Sequence, residues 1–267
     1  MTPPQVNLDL TGLVNDGSGT YLNGIDNLNV TVDSSDSESG IRETQLAILD
    51  VGGNPVSGWG DWNMVKTALL IPGTQYQIVA KASNYAGLTT QRTSVRFIYD
   101  NTSPQITGIE GPAGTVSAGE PVSIAISAEE PESAVKQYRL AIVMGGMVEY
   151  KLSSLIPGNQ DGWLTLNSNS NCAVFRFEIP AGTSGSYYPL VETTNAAGLY
   201  TIQSGRSFSI DNSQEKVCVS DQGPYSMFND HLTGSWKYLG HNQVTGYRYR
   251  IVGPNQQPLT GWQATIA

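Results

Sequence analysis

The chain has 267 residues and a formal net charge of −9, which argues against a general binder of nucleic-acid backbones, because such proteins neutralise phosphates with lysine and arginine. Only 14% of its residues are charged, compared with about 25% in average globular domains. Because 39% are hydrophobic, the composition favours folded, loop-rich β-domains outside the cell and excludes global disorder.

One strand-like segment occurs three times. Residues 41–48 (IRETQLAI) recur as 135–142 (VKQYRLAI) and as 244–251 (VTGYRYRI). Each copy is interpreted as a strand with alternating faces, one of them in a core. No stretch has the 3.6-residue periodicity of a long helix, so the sequence predicts an all-β protein built from repeats.

Two further motifs follow the first two copies. NYAGL at 84–88 recurs as NAAGL at 195–199, and Asp-Asn at 100–101 recurs at 211–212. Both spacings are 111 positions (84 to 195 and 100 to 211), which fits one immunoglobulin-like sandwich of about 100 residues. The predicted domains are a first sandwich at 1–103 (unit 1), a second at 104–212 (unit 2) and the N-terminal half of a third at 213–267 (unit 3).

The segment that leads into the first Asn-Gly turn resembles a known family. Residues 70–76 (LIPGTQY) and the turn at 84–88 are similar to the L-x-P-G-T-x-Y…V-x-A-x-N-x-A-G stretch of fibronectin type III domains. The resemblance implies tandem fibronectin type III-like or bacterial Ig-like β-sandwiches of large secreted or surface proteins, and a scaffold without catalysis. It also implies a tyrosine corner at Tyr76, in which the phenol bonds to upstream backbone. An insertion in unit 2 leaves Tyr187 or Tyr188 as its equivalent.

The tryptophans divide into repeated and unique positions. A Gly-Trp pair follows each copy of the strand, at Trp59, Trp163 and Trp262. Recurrence within a repeat indicates packing, so we expect Trp59 and Trp163 to be mostly buried between sheets. Trp62 has no counterpart in the other units, and we interpret it as an exposed residue that could contact a ligand such as a sugar.

The sequence contains no pattern typical of an enzyme. Its only histidines are His231 and His241, both in unit 3, so units 1 and 2 cannot form a histidine-centred triad or a three-histidine metal site. We therefore predict that the chain is not an enzyme and has no organic cofactor. The two cysteines, Cys172 and Cys218, lack zinc or redox spacing. They are either bridged to each other or buried as separate thiols.

Acidic loops are the one candidate for metal binding. Asp33, Asp36 and Glu38 lie in a Ser-rich loop before the first repeated strand, and Asp100 begins the linker to unit 2. Carboxylate oxygens in a loop and a linker are ligands that calcium prefers, so these four residues are our candidate calcium site. The corresponding loop of unit 2 has Glu-Glu-Pro-Glu at 129–132. The alternative is that all these carboxylates are simply solvated in turns.

These observations favour a noncatalytic extracellular stalk, spacer or adhesive module of a large bacterial surface or secreted protein, with any secretion signal outside this sequence. One alternative is a building block of an extracellular filament or coat; another is a carbohydrate-contacting region of a secreted polysaccharide-degrading enzyme. Expected partners are neighbouring repeats or other copies, glycans, or cell-surface proteins, without nucleic acid or membrane insertion. The half-domain should expose an apolar face that includes Trp236, Tyr247, Tyr249 and Ile251, completed by further chain after Ala267 or by strands from another chain.

Overall fold

The computed structural model describes residues 1–145, 147–155, 161–180, 182–212, 216–221, 234–239, 244–253 and 255–266. Within these residues β-strands that pair into sheets are the main regular structure, and there is almost no helix. The predicted all-β sandwich fold is therefore confirmed. Among the described residues, no helix combines the length and apolar character needed to cross a bilayer.

Unit 1 is a sandwich of two sheets. Its strands are β1 Gln5–Thr11, β2 Val14–Asn15, β3 Thr20–Leu22, β4 Asn29–Ser35, β5 Ile41–Leu49, β6 Gln75–Asn84, β7 Thr89–Thr93 and β8 Phe97–Tyr99. A 3₁₀ turn spans Ile25–Asn27, and the single helical turn α1 spans Trp62–Val65. β1 pairs antiparallel with β4, and the second sheet has the order β2-β3-β8-β6-β5 with β7 on β6. Between the sheets Leu22, Ile48, Ile78 and Phe97 are fully buried.

Unit 2 has the same plan. Its strands are β9 Gln105–Glu110, β10 Thr115–Ser117, β11 Pro121–Glu129, β12 Val135–Met144, β13 Met147–Lys151, β14 Leu164–Asn167, β15 Cys172–Glu178, β16 Gly185–Asn195, β17 Tyr200–Ser204 and β18 Phe208–Asp211. A 3₁₀ turn spans Leu152–Leu155. One sheet has the order β15-β11-β9, and the other has β10-β18-β16-β12-β13, with β14 on β12 and β17 on β16. The repeated strand of the sequence analysis is thus β5 in unit 1 and β12 in unit 2.

The tyrosine corner is present in both units. In unit 1 the backbone N–H of Ile71 donates to the hydroxyl of buried Tyr76 at 2.9 Å. In unit 2 the hydroxyl of buried Tyr187 donates to the carbonyl oxygen of Ser184 at 3.2 Å. The prediction for Tyr76 is confirmed, and Tyr187 rather than Tyr188 is its equivalent.

Unit 3 consists of two strand pairs in its described part. These are β19 Lys216–Asp221 with β20 Gly234–Leu239, and β21 Gly246–Tyr249 with β22 Gln263–Ile266. The repeated strand carries the same local feature in all three units, a hydroxyl that accepts a hydrogen bond from the N–H of its last isoleucine. The pairs are Ile48 with Ser57, Ile142 with Ser153 and Ile251 with Thr260. The repeated strand of unit 3 therefore shares this local structure with those of units 1 and 2.

The repeated tryptophans lie on the outer face of the sheets, not between them. Trp59 is half-buried, and the ammonium of Lys81 lies 5.7 Å from its ring centroid. Trp163 is also half-buried, and the guanidinium of Arg139 lies 4.7 Å from its ring centroid. Lys81 and Arg139 point away from the core because the residues on either side of them in their strands point inward. The prediction that these rings lie between the sheets is wrong: they recur because each covers a cation on the outer surface.

Neither predicted state of Cys172 is found. Cys172 is an exposed free thiol at the start of β15, so it is neither bridged nor buried. The side chain of Cys218 lies outside the described residues, as do His231 and His241.

Candidate functional site at the junction of units 1 and 2

Unit 1 rests directly on the Asn-Ala-Ala-Gly turn of unit 2. Tyr21 of β3 is buried in one apolar cluster with Ala196 and Ala197 of that turn. The side-chain amide of Asn23 donates to the carbonyl oxygen of Ala197 at 3.1 Å. Gly198 forms the tight part of the turn with a φ of 81°, a value at which glycine has no steric cost. The units therefore share a packed interface in addition to their linker.

An ion pair also crosses this junction. The ammonium of Lys136, in β12, lies 2.8 Å from a carboxylate oxygen of Asp16 and donates to the hydroxyl of Ser18 at 3.1 Å. Partial burial opposes the charge of Asp16, but Lys136, Ser18 and the N–H of Gly19 outweigh it and hold the pKa of the carboxyl well below its usual range. This pair fixes the β2–β3 hairpin of unit 1 against the sheet of unit 2.

Three carboxylates meet at the same junction. Asp100 directly follows β8, while Glu130 and Glu132 lie between β11 and β12. One carboxylate oxygen from each lies within 4.8 Å of the other two, and no other three histidine, cysteine or acidic side chains of the described residues converge in this way. Asp100 is fully buried and Glu130 is 8% exposed. The junction thus concentrates negative charge at a site with little access to water.

The amide of Asn195 holds the cluster together. Its Nδ2 atom lies 2.9 Å from Asp100 Oδ2 and 3.0 Å from both Glu130 Oε2 and the carbonyl oxygen of Thr102. Its Oδ1 accepts from the N–H of Leu199 at 2.8 Å, which fixes the orientation of the amide. An amide nitrogen carries two hydrogens, so three acceptors surround two donors. Asn195 alone therefore cannot give all three oxygens a full hydrogen bond.

The negative charge of the cluster is poorly compensated. Within the described part of the chain none of the three carboxylates forms an ion pair with lysine or arginine, and Glu132 Oε2 is buried without a hydrogen-bond partner. Burial raises the pKa of Glu130 to about 7, with further contributions from Glu132 and the charge of Asp100, although Asn195 opposes the shift. A proton or a bound cation would relieve this repulsion.

Unit 1 carries the same arrangement at its own N-terminal end. Asn84 Nδ2 donates to Asp36 Oδ2 at 2.9 Å and to the carbonyl oxygen of Thr2 at 3.2 Å. The hydrogen bond from Asn84 and those from nearby N–H groups lower the pKa of Asp36 to about 2. Asp36 and Glu38 of unit 1 therefore correspond to Glu130 and Glu132 of unit 2, and Asn84 corresponds to Asn195.

The structure does not bring Asp33, Asp36 and Glu38 together with Asp100. The loop containing Asp36 lies at the end of β6 where Asn84 pairs with Ile41 of β5. Asp100 lies next to the opposite end of β6, where β6 pairs with β8. The ten residues of β6 separate these ends by about 30 Å at about 3.3 Å per residue. Asp33 is exposed within β4. Asp100 lies instead beside Glu130 and Glu132 of the acidic loop in unit 2.

Sequence reasoning missed Glu130, Glu132 and Asn195 as site residues. The signals were available, because the acidic loop at 129–132 and the repeated Asn-x-Ala-Gly turn are visible in the sequence. The residue pattern does not show that the linker leaves unit 1 at the end opposite its N-terminus, where it meets the loops of unit 2.

Trp62 does not form an exposed platform. It is the first residue of α1, is half-buried, and packs against the core of unit 1. The N–H of Met64 donates to the side chain of Asp61 at 2.9 Å, which caps this helical turn and sets the position of Trp62. The prediction that Trp62 is exposed is therefore wrong, and ligand contact at its ring stays a prediction.

The comparisons with known proteins concern the fold. No protein-family model matches the sequence, and no curated protein matches it. Similar solved structures include the fibronectin(III)-like modules of Clostridium thermocellum CbhA, at 10% identity over 68% of this chain and 82% of that chain, with a TM-score of 0.34. The FN1–FN3 domains of chicken CNTN1 match at 14% identity over 99% and 85%, with a TM-score of 0.27. BcpA, the major pilin subunit of Bacillus cereus, matches at 8% identity over 85% and 91%, with a TM-score of 0.25. These superpositions are loose, so the fold class rests on the strand pairing described above.

Proposed function

We propose that the chain is a noncatalytic extracellular stalk or spacer in which a bound divalent cation, most suitably calcium, stiffens the junction between units 1 and 2. The observation that carries this proposal is the convergence of Asp100 from one unit with Glu130 and Glu132 from the next. A cation held by both units would resist bending between them. A stalk needs this property, because its length depends on the angle between successive domains.

The donor set suits calcium. Three carboxylates and the carbonyl oxygen of Thr102 surround Asn195 or lie beside it, and calcium takes six to eight oxygen ligands, with water completing the shell. The cluster has no histidine or thiolate among its members, which disfavours zinc and copper. Dissociation constants of about 10⁻⁴ to 10⁻³ M are typical of extracellular calcium modules, and this range suits a site with few protein ligands.

Calcium would also replace the proton that the cluster favours. Because the pKa of Glu130 is raised to about 7, part of the population carries a proton there at neutral pH. A metal ligand must be deprotonated, so calcium affinity should rise with pH through this range. The proton and the cation therefore compete for the same carboxylates.

Thermal melting with chelator and with millimolar calcium tests the proposal. A ligand that binds only the native state stabilises it by mass action, so calcium should raise the melting temperature of the wild-type chain. Glu130→Gln should abolish the shift. The matched control is Asp36→Asn, which changes the equivalent acid of unit 1 and should leave the shift intact. Identical melting curves with chelator and calcium would refute the cation, and a shift that survives Glu130→Gln would place it elsewhere.

A further inference from the structure

A polar cleft lies between units 1 and 2, on the outer face of the sheet that contains β12. Its volume is about 750 Å³. One wall is the turn of the β2–β3 hairpin of unit 1, at Asp16, Gly17 and Ser18. The floor belongs to unit 2 and consists of side chains that end in an amine, an amide or a hydroxyl, including Lys136, Gln137, Asn167, Asn169 and Thr194. We call this space the junction cleft.

The wall of the junction cleft is held in place by several bonds. Asp16 Oδ1 accepts from the N–H groups of Ser18 and Gly19 at 2.9 and 2.8 Å. The other oxygen of Asp16 lies 2.8 Å from the ammonium of Lys136, and the two side chains are only 12% and 23% exposed. The cleft is therefore preformed, which lowers the entropic cost of binding a ligand there.

The floor continues as a row of side chains that crosses four strands. Asn167 of β14 lies opposite Gln137 of β12. Gln137 lies opposite Thr194 of β16, which in turn lies opposite Tyr200 of β17. The row faces outward because Tyr138, the next residue of β12, is fully buried. Since neighbouring strands are about 4.8 Å apart, the row spans about 14 Å.

Two amides of this row are oriented and retain capacity for hydrogen bonds. Gln137 Nε2 donates to Asn167 Oδ1 at 2.9 Å. This bond leaves Gln137 Oε1 as an acceptor and Asn167 Nδ2 as a donor, and neither atom has another partner within the described residues. A hydroxyl group both donates and accepts. A ligand hydroxyl beside this pair can therefore donate to Gln137 and accept from Asn167.

The charges in and beside the junction cleft are neutralised within the protein. Lys136 pairs with Asp16 at 2.8 Å, and in the adjacent row Arg139 pairs with Glu192 at 2.8 Å. An anionic ligand would have to displace a carboxylate, and a cation would have to displace an ammonium. The described lining contains no aliphatic or aromatic side chain, which disfavours an apolar ligand. These features together favour a neutral molecule rich in hydroxyl groups.

We propose that the junction cleft binds a neutral oligosaccharide. Its hydroxyl groups bond to the amides of Gln137 and Asn167 and to the hydroxyl of Thr194. One pyranose ring packs its C–H face on Tyr200, which is 59% exposed at the far end of the row and combines an apolar ring face with a polar tip. This inference adds a ligand to the proposed stalk and requires no cation at the carboxylate cluster.

Calorimetric titration of the complete chain in chelator tests the proposal. The probes are cellohexaose, xylohexaose, mannohexaose, maltohexaose and chitohexaose, all linear and neutral. At least one should bind, and it should shift the amide resonances of β12, β14 and β17 and of the hairpin turn at 16–19. Absence of binding by all five at millimolar concentration would overturn the proposal, as would binding that shifts only resonances elsewhere. Because chelator is present throughout, failure of the cation proposal leaves this result unchanged.

Two variants with matched controls locate the ligand. Gln137→Ala and Tyr200→Ala should each weaken binding about tenfold, because each removes one contact from a site with few contacts. The controls are Gln45→Ala, on half-buried Gln45 of β5, and Tyr85→Ala, on the exposed tyrosine of the unit 1 turn. Both controls should leave the affinity unchanged. Unchanged affinity in Gln137→Ala and Tyr200→Ala, or equal weakening in the controls, would overturn the assignment to the junction cleft.

Discussion

Replacing Asn195 with alanine should destabilise unit 2 more than the same replacement at Asn84 destabilises unit 1. Both side chains accept from a turn N–H at 2.8 Å, and both donate to a carboxylate at 2.9 to 3.0 Å. They differ in that the acceptors of Asn195 include fully buried Asp100, whereas Asp36 is only half-buried. The difference in unfolding free energy between the two variants therefore reports on the burial of charge at the junction.

The magnitudes follow from the hydrogen bonds lost. The turn bond contributes about 1 kcal/mol at either site, and each hydrogen bond to a charged group contributes about 1.5 to 3 kcal/mol when desolvated. With two donor hydrogens, Asn195→Ala should cost about 4 kcal/mol, while Asn84→Ala should cost about 2 kcal/mol because water can replace the amide at Asp36.

Amide exchange in chelator is the suitable assay, because unfolding of a chain with several domains is not a single transition. The core amides of β6 and β16 report on units 1 and 2 separately, and the unaltered unit serves as an internal standard in each variant. Equal costs for the two variants, within about 0.5 kcal/mol, would refute the claim that the junction is a buried, charge-rich site.

Three further outcomes are expected. In chelator, the free energy of unfolding of unit 2 should fall by about 2 kcal/mol as pH rises from 5 to 8. The reason is that the folded pKa of Glu130 is raised to about 7, so this carboxyl stabilises the fold only while it is protonated. Exchange of the β16 amides measures this fall, and the same fall in Glu130→Gln would assign it to another group. Gly40→Ala should cost unit 1 about 1 kcal/mol, because the φ of Gly40 is +76° and alanine is strained there. Ala134→Gly, at the equivalent φ of +72° in unit 2, should be neutral or slightly stabilising. Denaturant titrations measure both effects, and equal effects would contradict the claim that positive φ sets the cost. Trp62→Ala should lower the free energy of unfolding by about 3 kcal/mol and Trp59→Ala by about 1 kcal/mol. The difference is expected because Trp62 packs on the core and Trp59 covers only Lys81. A larger loss for Trp59→Ala in denaturant titrations would restore the interpretation of Trp59 as a core residue.

Much of the fold could be predicted because repetition makes local patterns unambiguous. Three copies of one strand, two copies of the Asn-x-Ala-Gly turn and the tyrosine motif together indicated β-sandwiches in tandem. The corner at Tyr76 followed because a single residue and its upstream backbone determine it. Tyr249 and Ile251, which were expected on an exposed apolar face, are 41% and 39% exposed.

Features that depend on a neighbouring strand or domain could not be predicted in the same way. Trp59 repeats as a core residue would, but its partner Lys81 lies in β6, and pairing between strands distant in sequence decides which face the ring covers. Asp100 was recognised as a linker carboxylate, yet its partners depend on which end of the sandwich the chain leaves. Asn195 looked like a turn residue because its hydrogen bond to the N–H of Leu199 is local. Its contact with Asp100 crosses between units, and its contact with Glu130 joins segments of unit 2 that are 65 positions apart in the sequence.

The distance between units 1 and 2 tests the central claim of a cation-stiffened junction most directly. Spin labels at Thr93→Cys and Ser204→Cys, in a background with Cys172 and Cys218 changed to serine, would report on exposed edge strands of the two units. Pulsed electron paramagnetic resonance should give one narrow distance distribution with calcium and a broader one with chelator, and Asp100→Asn should give the broad distribution in both. A distribution of the same width with calcium and with chelator would contradict the account.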